Sequence, residues 1–276
     1  MRNLAAASAL VILAACGGGS SHSANAEHGE ARADGAALGP AEAHAAAPAS
    51  HAAPQAGHAW SYLDQAAWAG VSGVCGGGAE QSPINLSSGS PVSELADLVP
   101  HYLPVEGAFV NNGHTLQFNP QGQRATLTIG ADEYSFAQFH FHAPAEHTLD
   151  RRAFPAELHF VHRNANGQLA VVGVFIEEGA ANDALANLLV AMPNAQGDEF
   201  AAHLAVNLTA LLPADRAYFA YAGSLTTPPC SEGVRWNVLR TPITASPEQI
   251  AALREALGAS SRHVQRIGER TVLLGS

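Results

Sequence analysis

From residue 58 to the end of the chain, apolar and polar positions alternate in short runs, the period-two signature of half-buried strands. The clearest runs are 109–110, 126–129, 135–143, 156–163 and 169–176, with Gly, Pro and Asn clusters between them where turns belong. Helical spacing is rarer. Leu185, Leu188, Leu189 and Met192 recur at intervals of about one helical turn and predict a helix over 181–192. Ser246-Pro247-Glu248-Gln249 has the form of a capping box with proline at the first helical position, and Gly258 stands where that helix should end. No internal repeat is evident. The pattern predicts one α+β domain, mainly sheet, with a few short peripheral helices.

Upstream the pattern disappears. Residues 17–57 are rich in Gly, Ser, Ala and Pro and nearly free of large side chains. Such a segment buries too little surface to offset its ordering entropy, so 16–57 reads as a flexible tether. His22, His28, His44, His51 and His58 punctuate it, but no two have chelating spacing, and they read as solvated side chains. Before the tether come a short basic start, Met1-Arg2-Asn3, and an apolar run over 4–14 that is too short to span a bilayer as a helix. The ending Leu13-Ala14-Ala15-Cys16 resembles a bacterial lipobox. That resemblance implies removal of 1–15 and lipidation of Cys16, with acyl chains holding the protein on the periplasmic side of an envelope membrane, the outer membrane favoured. The alternative is an ordinary signal peptide that releases a soluble periplasmic or extracellular protein.

Composition narrows the class. Of 276 residues, 47% are hydrophobic, enough for one sizeable core, and only 13% are charged. The net charge of −11 excludes a nucleic-acid partner, which requires a basic face. With Cys16 set aside, Cys75 and Cys230 remain, and an even remainder in an exported chain favours one disulfide over two buried thiols.

The candidate chemistry is a set of histidines. In a strand, Gln138-Phe139-His140-Phe141-His142 puts Gln138, His140 and His142 on one face and both phenylalanines on the other. In Glu157-Leu158-His159-Phe160-Val161-His162, residues Glu157, His159 and Val161 share a face, with Leu158, Phe160 and His162 behind. If the two strands pair antiparallel, three imidazoles converge. Three histidines with an open fourth position describe a catalytic zinc site, whereas structural zinc closes its shell. Gln138 and Glu157 each precede a ligand by two residues, where an amide oxygen or carboxylate can take the other ring N–H. On the pattern alone, a buried polar network remains the competing reading.

These residues resemble the alpha-class carbonic anhydrases over essentially all of 58–276. The similar blocks are Trp60-Ser61-Tyr62, Gln81-Ser82-Pro83-Ile84-Asn85, Asn111-Asn112-Gly113-His114, Phe139 to His142, Glu146-His147-Thr148, Glu157-Leu158-His159 and Gly223 to Pro229, in the family's order. The resemblance implies a large, mostly antiparallel twisted β-sheet and Zn2+ held by His140, His142 and His159. It implies outer support from Gln138, Glu157 and a backbone carbonyl at Ser260, and a Cys75–Cys230 disulfide. The implied reaction is reversible hydration of carbon dioxide to bicarbonate and a proton by attack of zinc-bound hydroxide. Thr226 and Glu146 orient the nucleophile, and Thr227 is a cavity neighbour. Val161, Val171, Leu225, Val234 and Trp236 line the carbon dioxide pocket, and His114 shuttles protons through a network with Tyr62 and Asn111. His147 reads as a satisfied structural histidine. Where the family has Asn-x-Arg-Pro, this chain has Ser260-Ser261-Arg262-His263. A changed side chain leaves a carbonyl in place, so activity is expected to survive.

Two rivals stand beside this reading: a zinc buffer or catalytically silent relative, and a metallo-hydrolase acting on esters, an activity also expected as a side reaction. Neither lipid anchor nor oligomeric state follows from the globular part. The anchor has its own test. Growth with a labelled lipid precursor is expected to label the full-length protein and not its Cys16→Ala variant; label on the variant contradicts the lipobox reading.

Overall fold

The computed structural model describes residues 60–122, 125–193 and 199–275. Residues 1–57, which hold Cys16 and the stretches read as leader and tether, lie outside the described residues. Each run read as a strand is one, within a larger set. The strands are β1 (Asn85–Leu86), β2 (Leu98–Tyr102), β3 (Val105–Asn111), β4 (Leu116–Pro120), β5 (Ala125–Ile129), β6 (Asp132–His142) and β7 (Thr148–Leu149). They continue with β8 (Ala156–Arg163), β9 (Leu169–Glu178), β10 (Glu199–Val206), β11 (Tyr218–Ser224), β12 (Glu232–Ala245) and β13 (Leu273–Leu274). Among the described residues, four short α-helices accompany them: α1 (Trp68–Val71), α2 (Gly73–Gly77), α3 (Asp183–Val190) and α4 (Pro247–Leu257). Among the described residues, no helix is long and apolar enough to cross a membrane.

Both predicted helices form, each for the reason its sequence suggests. In α3 the Asn182 side chain caps the first turn by accepting from the N–H groups of Ala184 and Leu185, so the helix runs over Asp183–Val190, inside the predicted 181–192. In α4 the capping box of Ser246 and Gln249 is complete, and Gly258 ends the helix at φ 59°.

Among the described residues, eleven strands make one sheet, in the order β10-β3-β4-β6-β8-β9-β12-β11-β13, with β5 joining β2 to β6. Within it, among the described residues, only β9 and β12 pair in parallel. The central strands β8 and β9 are buried along nearly their whole length, as expected where both faces are covered. Each face carries its own core. Phe109, Phe118, Phe139, Phe141, Leu158 and Phe160 belong to the larger, and Val161, Val171, Phe175, Val234 and Trp236 to the other. β12 escapes a simple pattern reading because Pro242 interrupts it. Proline has no ladder donor, and the pairing with β9 shifts register between Leu239 and Ile243 to pass it.

A third apolar cluster sits at the amino-terminal edge, where Trp60, Tyr62 and Trp68 pack around the Cys75–Cys230 disulfide. The bridge spans 155 residues of sequence, so in the chain-entropy view it removes much freedom from the unfolded chain. The Cys75→Ala/Cys230→Ala variant is expected to lose about 2–5 kcal/mol of unfolding free energy in denaturant titration; an unchanged midpoint contradicts a stabilising bridge.

Candidate metal centre

β6 and β8 pair antiparallel with His140 directly opposite His159, and His142 lies one pleat further on the same face. The three rings converge, with centroids 4.9 Å apart for His140 and His142, 5.2 Å for His140 and His159, and 4.7 Å for His142 and His159. One nitrogen from each falls within 4.8 Å of the others. A β-bulge between Phe136 and Gln138 sets the phase. It lets Phe136 and Phe139 face the same core although they stand an odd three positions apart, and leaves Gln138, His140 and His142 on the opposite face.

Each ring is held through one nitrogen. Nδ1 of His140 donates to Gln138 Oε1 at 2.8 Å, Nε2 of His159 to Glu157 Oε1 at 2.9 Å, and Nδ1 of His142 to the Ser260 carbonyl. These bonds set the tautomers and turn a lone pair of each ring toward the common point. Nε2 of His142 is fully buried and has no hydrogen-bond partner among the described residues. A buried imidazole nitrogen without a partner, facing two others, fits a metal ion. Three neutral nitrogens with room for a fourth ligand are the donor set of catalytic zinc.

Glu157 is fully satisfied. Oε1 also accepts from His147 Nδ1 at 2.7 Å, and Oε2 accepts the backbone N–H groups of Glu146 and His147 at 2.9 and 2.8 Å. Burial alone raises its pKa, but His147 and His159 outweigh that and hold it well below the usual carboxylate range. His147 in turn meets the Tyr221 hydroxyl at 2.6 Å, and that hydroxyl meets Ser82 Oγ at 2.9 Å. His147 is thus a structural histidine, and Tyr221 and Ser82 are supports the pattern did not announce. Ser82 lies in the Gln-Ser-Pro-Ile block, but only its contacts give it a task.

Glu146 is different. Its Oε1 accepts the Arg262 N–H at 2.8 Å, while Oε2 stands 3.4 Å from His142 Nε2. Burial raises its pKa to about 7, against lowering influences from His159, the Arg262 N–H and the Thr226 hydroxyl. Thr226 therefore lies beside Glu146, yet Oε2 has no partner at hydrogen-bond geometry among the described residues.

Val161, Val171, Val234 and Trp236 are buried in the apolar cluster on the histidine side of the sheet, with Leu225 packed against it and Thr227 half-buried. The Trp236 ring lies 4.9 Å from that of His159. His114 sits on the turn between β3 and β4. Asn112 Oδ1 accepts from the N–H groups of His114 and Thr115, Asn111 Oδ1 accepts from Gly113 N–H, and Gly113 takes φ 83°. Both asparagines brace the turn. The His114 ring stacks on Trp60 at 3.7 Å, and partial burial lowers its pKa. The Tyr62 hydroxyl is buried without a partner among the described residues, its pKa raised by burial and by Glu146.

A model of the eukaryotic-type carbonic anhydrase family matches residues 63–274. The chain belongs to that family. It is accordingly an enzyme of the alpha carbonic anhydrases, which are metalloenzymes acting on carbon dioxide and bicarbonate. A carbonic anhydrase of Klebsiella pneumoniae is 40% identical over 202 residues, 72% of this chain and 82% of its own. The solved Photobacterium profundum alpha-carbonic anhydrase is 39% identical with a TM-score of 0.74, covering 78% of this chain and 100% of that one. The Thermovibrio ammonificans enzyme, solved with the inhibitor sulfanilamide, is 36% identical with a TM-score of 0.75, covering 79% and 99%.

Burial also lowers the pKa of His142 to about 4, that of His162, on the far face of β8, to about 4, and that of His159 in the same direction. Unfolded, these histidines take up protons below about 6.5. Between about 4 and 6.5 the unfolded chain therefore binds more protons than the folded one, and stability rises with pH there. Glu146, with its pKa raised to about 7, binds a proton in the folded chain between about 4.5 and 7 and so offsets one of these three histidines there. The metal-free protein is expected to be most stable near neutral pH. Below pH 6.5 it should lose up to about 1.4 kcal/mol per pH unit for each such histidine; a profile flat to pH 5 contradicts neutral buried imidazoles.

Proposed function

We propose that this protein catalyses reversible hydration of carbon dioxide to bicarbonate and a proton at a Zn2+ ion held by His140, His142 and His159. The observation that carries the reading is the tautomer pattern: three buried or half-buried rings, each tied through one nitrogen, offer the other to a single point. Zinc there supplies the charge that brings the pKa of water to about 7, a magnitude for which carbonic anhydrases are themselves the reference case. Neutral imidazoles leave that charge undiminished, and Glu157 and Gln138 keep the rings oriented.

Thr226 orients the nucleophile. A hydroxyl that donates to Glu146 has only lone pairs left, so it accepts from the attacking oxygen and holds its reactive pair toward the substrate. Val161, Val171, Leu225, Val234 and Trp236 give carbon dioxide, which has no hydrogen to donate, an apolar wall beside the reacting point, with Thr227 at its edge. His114 takes the proton outward, Tyr62 and Asn111 lying along the way. Its lowered pKa favours passing the proton on to solvent buffer. A tether lipidated at Cys16 would place this chemistry at an exported membrane surface, in keeping with a disulfide-bonded domain.

Stopped-flow carbon dioxide hydration, with zinc measured on the same sample, is the direct test. Wild-type protein is expected to hold about one zinc and to lose activity when a chelator removes it. Thr226→Ala should keep zinc and lose rate on the order of 100-fold. A rate unaffected by Thr226→Ala removes its orienting role, and a wild-type protein that holds zinc without hydrating carbon dioxide favours zinc storage instead. His114→Ala should lower the maximal rate in weak buffer by up to about 100-fold and recover with added imidazole; an unchanged rate removes the shuttle.

A further inference from the structure

Residues 260–263 belong to no helix or strand, so no ladder of backbone bonds holds them. Yet this segment, which follows the cap of α4, delivers two backbone groups to the centre: the Ser260 carbonyl to His142 Nδ1 and the Arg262 N–H to Glu146 Oε1. Side chains fix it in place. Ser260 is fully buried, and its Oγ accepts from Ala143 N–H at 3.0 Å and approaches Ala143 O at 3.4 Å. Ser261 Oγ donates to the Pro144 carbonyl. Gln65, in the turn before α1, brackets Arg262 with one carboxamide: Nε2 donates to Ser261 O and Oε1 accepts from His263 N–H, both at 2.8 Å. The Arg262 guanidinium is spread over Cys75 O, Gln81 Oε1 and Ser82 O at 2.7–2.9 Å.

This is where the chain departs from Asn-x-Arg-Pro. A proline at 263 would have no N–H, so the Gln65–His263 bond depends on the residue found here. The Ser260 hydroxyl meets the backbone of Ala143, the residue that follows His142 at the end of β6. We propose that the Ser260 hydroxyl and the Gln65 carboxamide are positioning residues for the metal centre, holding segment 260–263 so that its carbonyl orients His142 and its N–H orients Glu146. The inference rests on the metal-centre reading given under the proposed function. Outer partners of a ligating histidine govern how firmly the metal is held, because they fix the ring through which it is bound.

The test follows zinc release from loaded full-length protein into excess chelator. Ser260→Ala keeps the carbonyl and removes the hydroxyl, and Gln65→Leu keeps the bulk and removes the amide. Each is expected to release zinc about tenfold faster than wild type, with less than additive effects when combined, because both loosen one segment. Ser260→Thr, which retains the hydroxyl, should release at the wild-type rate. Asn182→Ala, which removes the cap of α3 and touches nothing at the centre, should lower the melting temperature without changing release. Unchanged release in both Ser260→Ala and Gln65→Leu, with melting lowered as in that control, overturns the proposal by reducing both residues to fold support. If Ser260→Ala does not fold, Gln65→Leu decides alone. A wild-type protein that holds no zinc would instead overturn the underlying metal-centre reading.

Discussion

The pairing of β6 with β8 in one register is the constraint on which the site depends. Because side chains alternate with a period of two, a slip by one residue would turn His140 and His142 toward the phenylalanine core and Phe139 and Phe141 toward the polar face. The cores on the two faces of the sheet forbid that. Phe139, Phe141, Leu158 and Phe160 lock one side with a dense aromatic layer, and Val161, Val171 and Trp236 lock the other. The geometry of the histidines is thus set by hydrophobic packing, whose energy is spread over many residues, and not by the attraction of the imidazoles for one another.

Packing brings the rings together, and buried hydrogen bonds decide their chemistry. Taking imidazoles and carboxylates out of water is costly unless their hydrogen-bonding capacity is met. Here it is met on the far side of each ring, by Gln138, Glu157 and the Ser260 carbonyl, while the near side of His142 is left unmet. The two buried glutamates show the same logic with opposite outcomes. Glu157 has partners on both oxygens and is held ionised, whereas Glu146 is half-met and is pushed toward neutrality. A cation among the three rings would draw Glu146 back toward its charged form.

The centre also draws on segments far apart in sequence. Glu146 is met by Arg262, His147 by Tyr221, and Tyr221 by Ser82, so strand ends and loops from distant regions of the chain close on one small polar interior. The departure at 260–263 is absorbed by this arrangement. The backbone groups keep their places because serine hydroxyls and Gln65 supply bonds around them, and the chain remains within its family, at 40% identity to the Klebsiella pneumoniae enzyme.

What the sequence by itself determined was everything that depends on neighbours along the chain. Strand parity assigned the faces of Gln138, His140, His142, Glu157 and His159, and the Ser246 capping box with Gly258 bounded the last helix. The family blocks marked Thr226, Glu146 and His114 as candidates. What only the tertiary structure decided was what depends on register and distance across the chain. The bulge that re-phases Phe136, the passage of β12 around Pro242, the relay from His147 through Tyr221 to Ser82, and the hold of Gln65 on 260–263 leave no periodic trace. A hydrogen bond between residues 198 positions apart imposes no spacing rule on the residues between them.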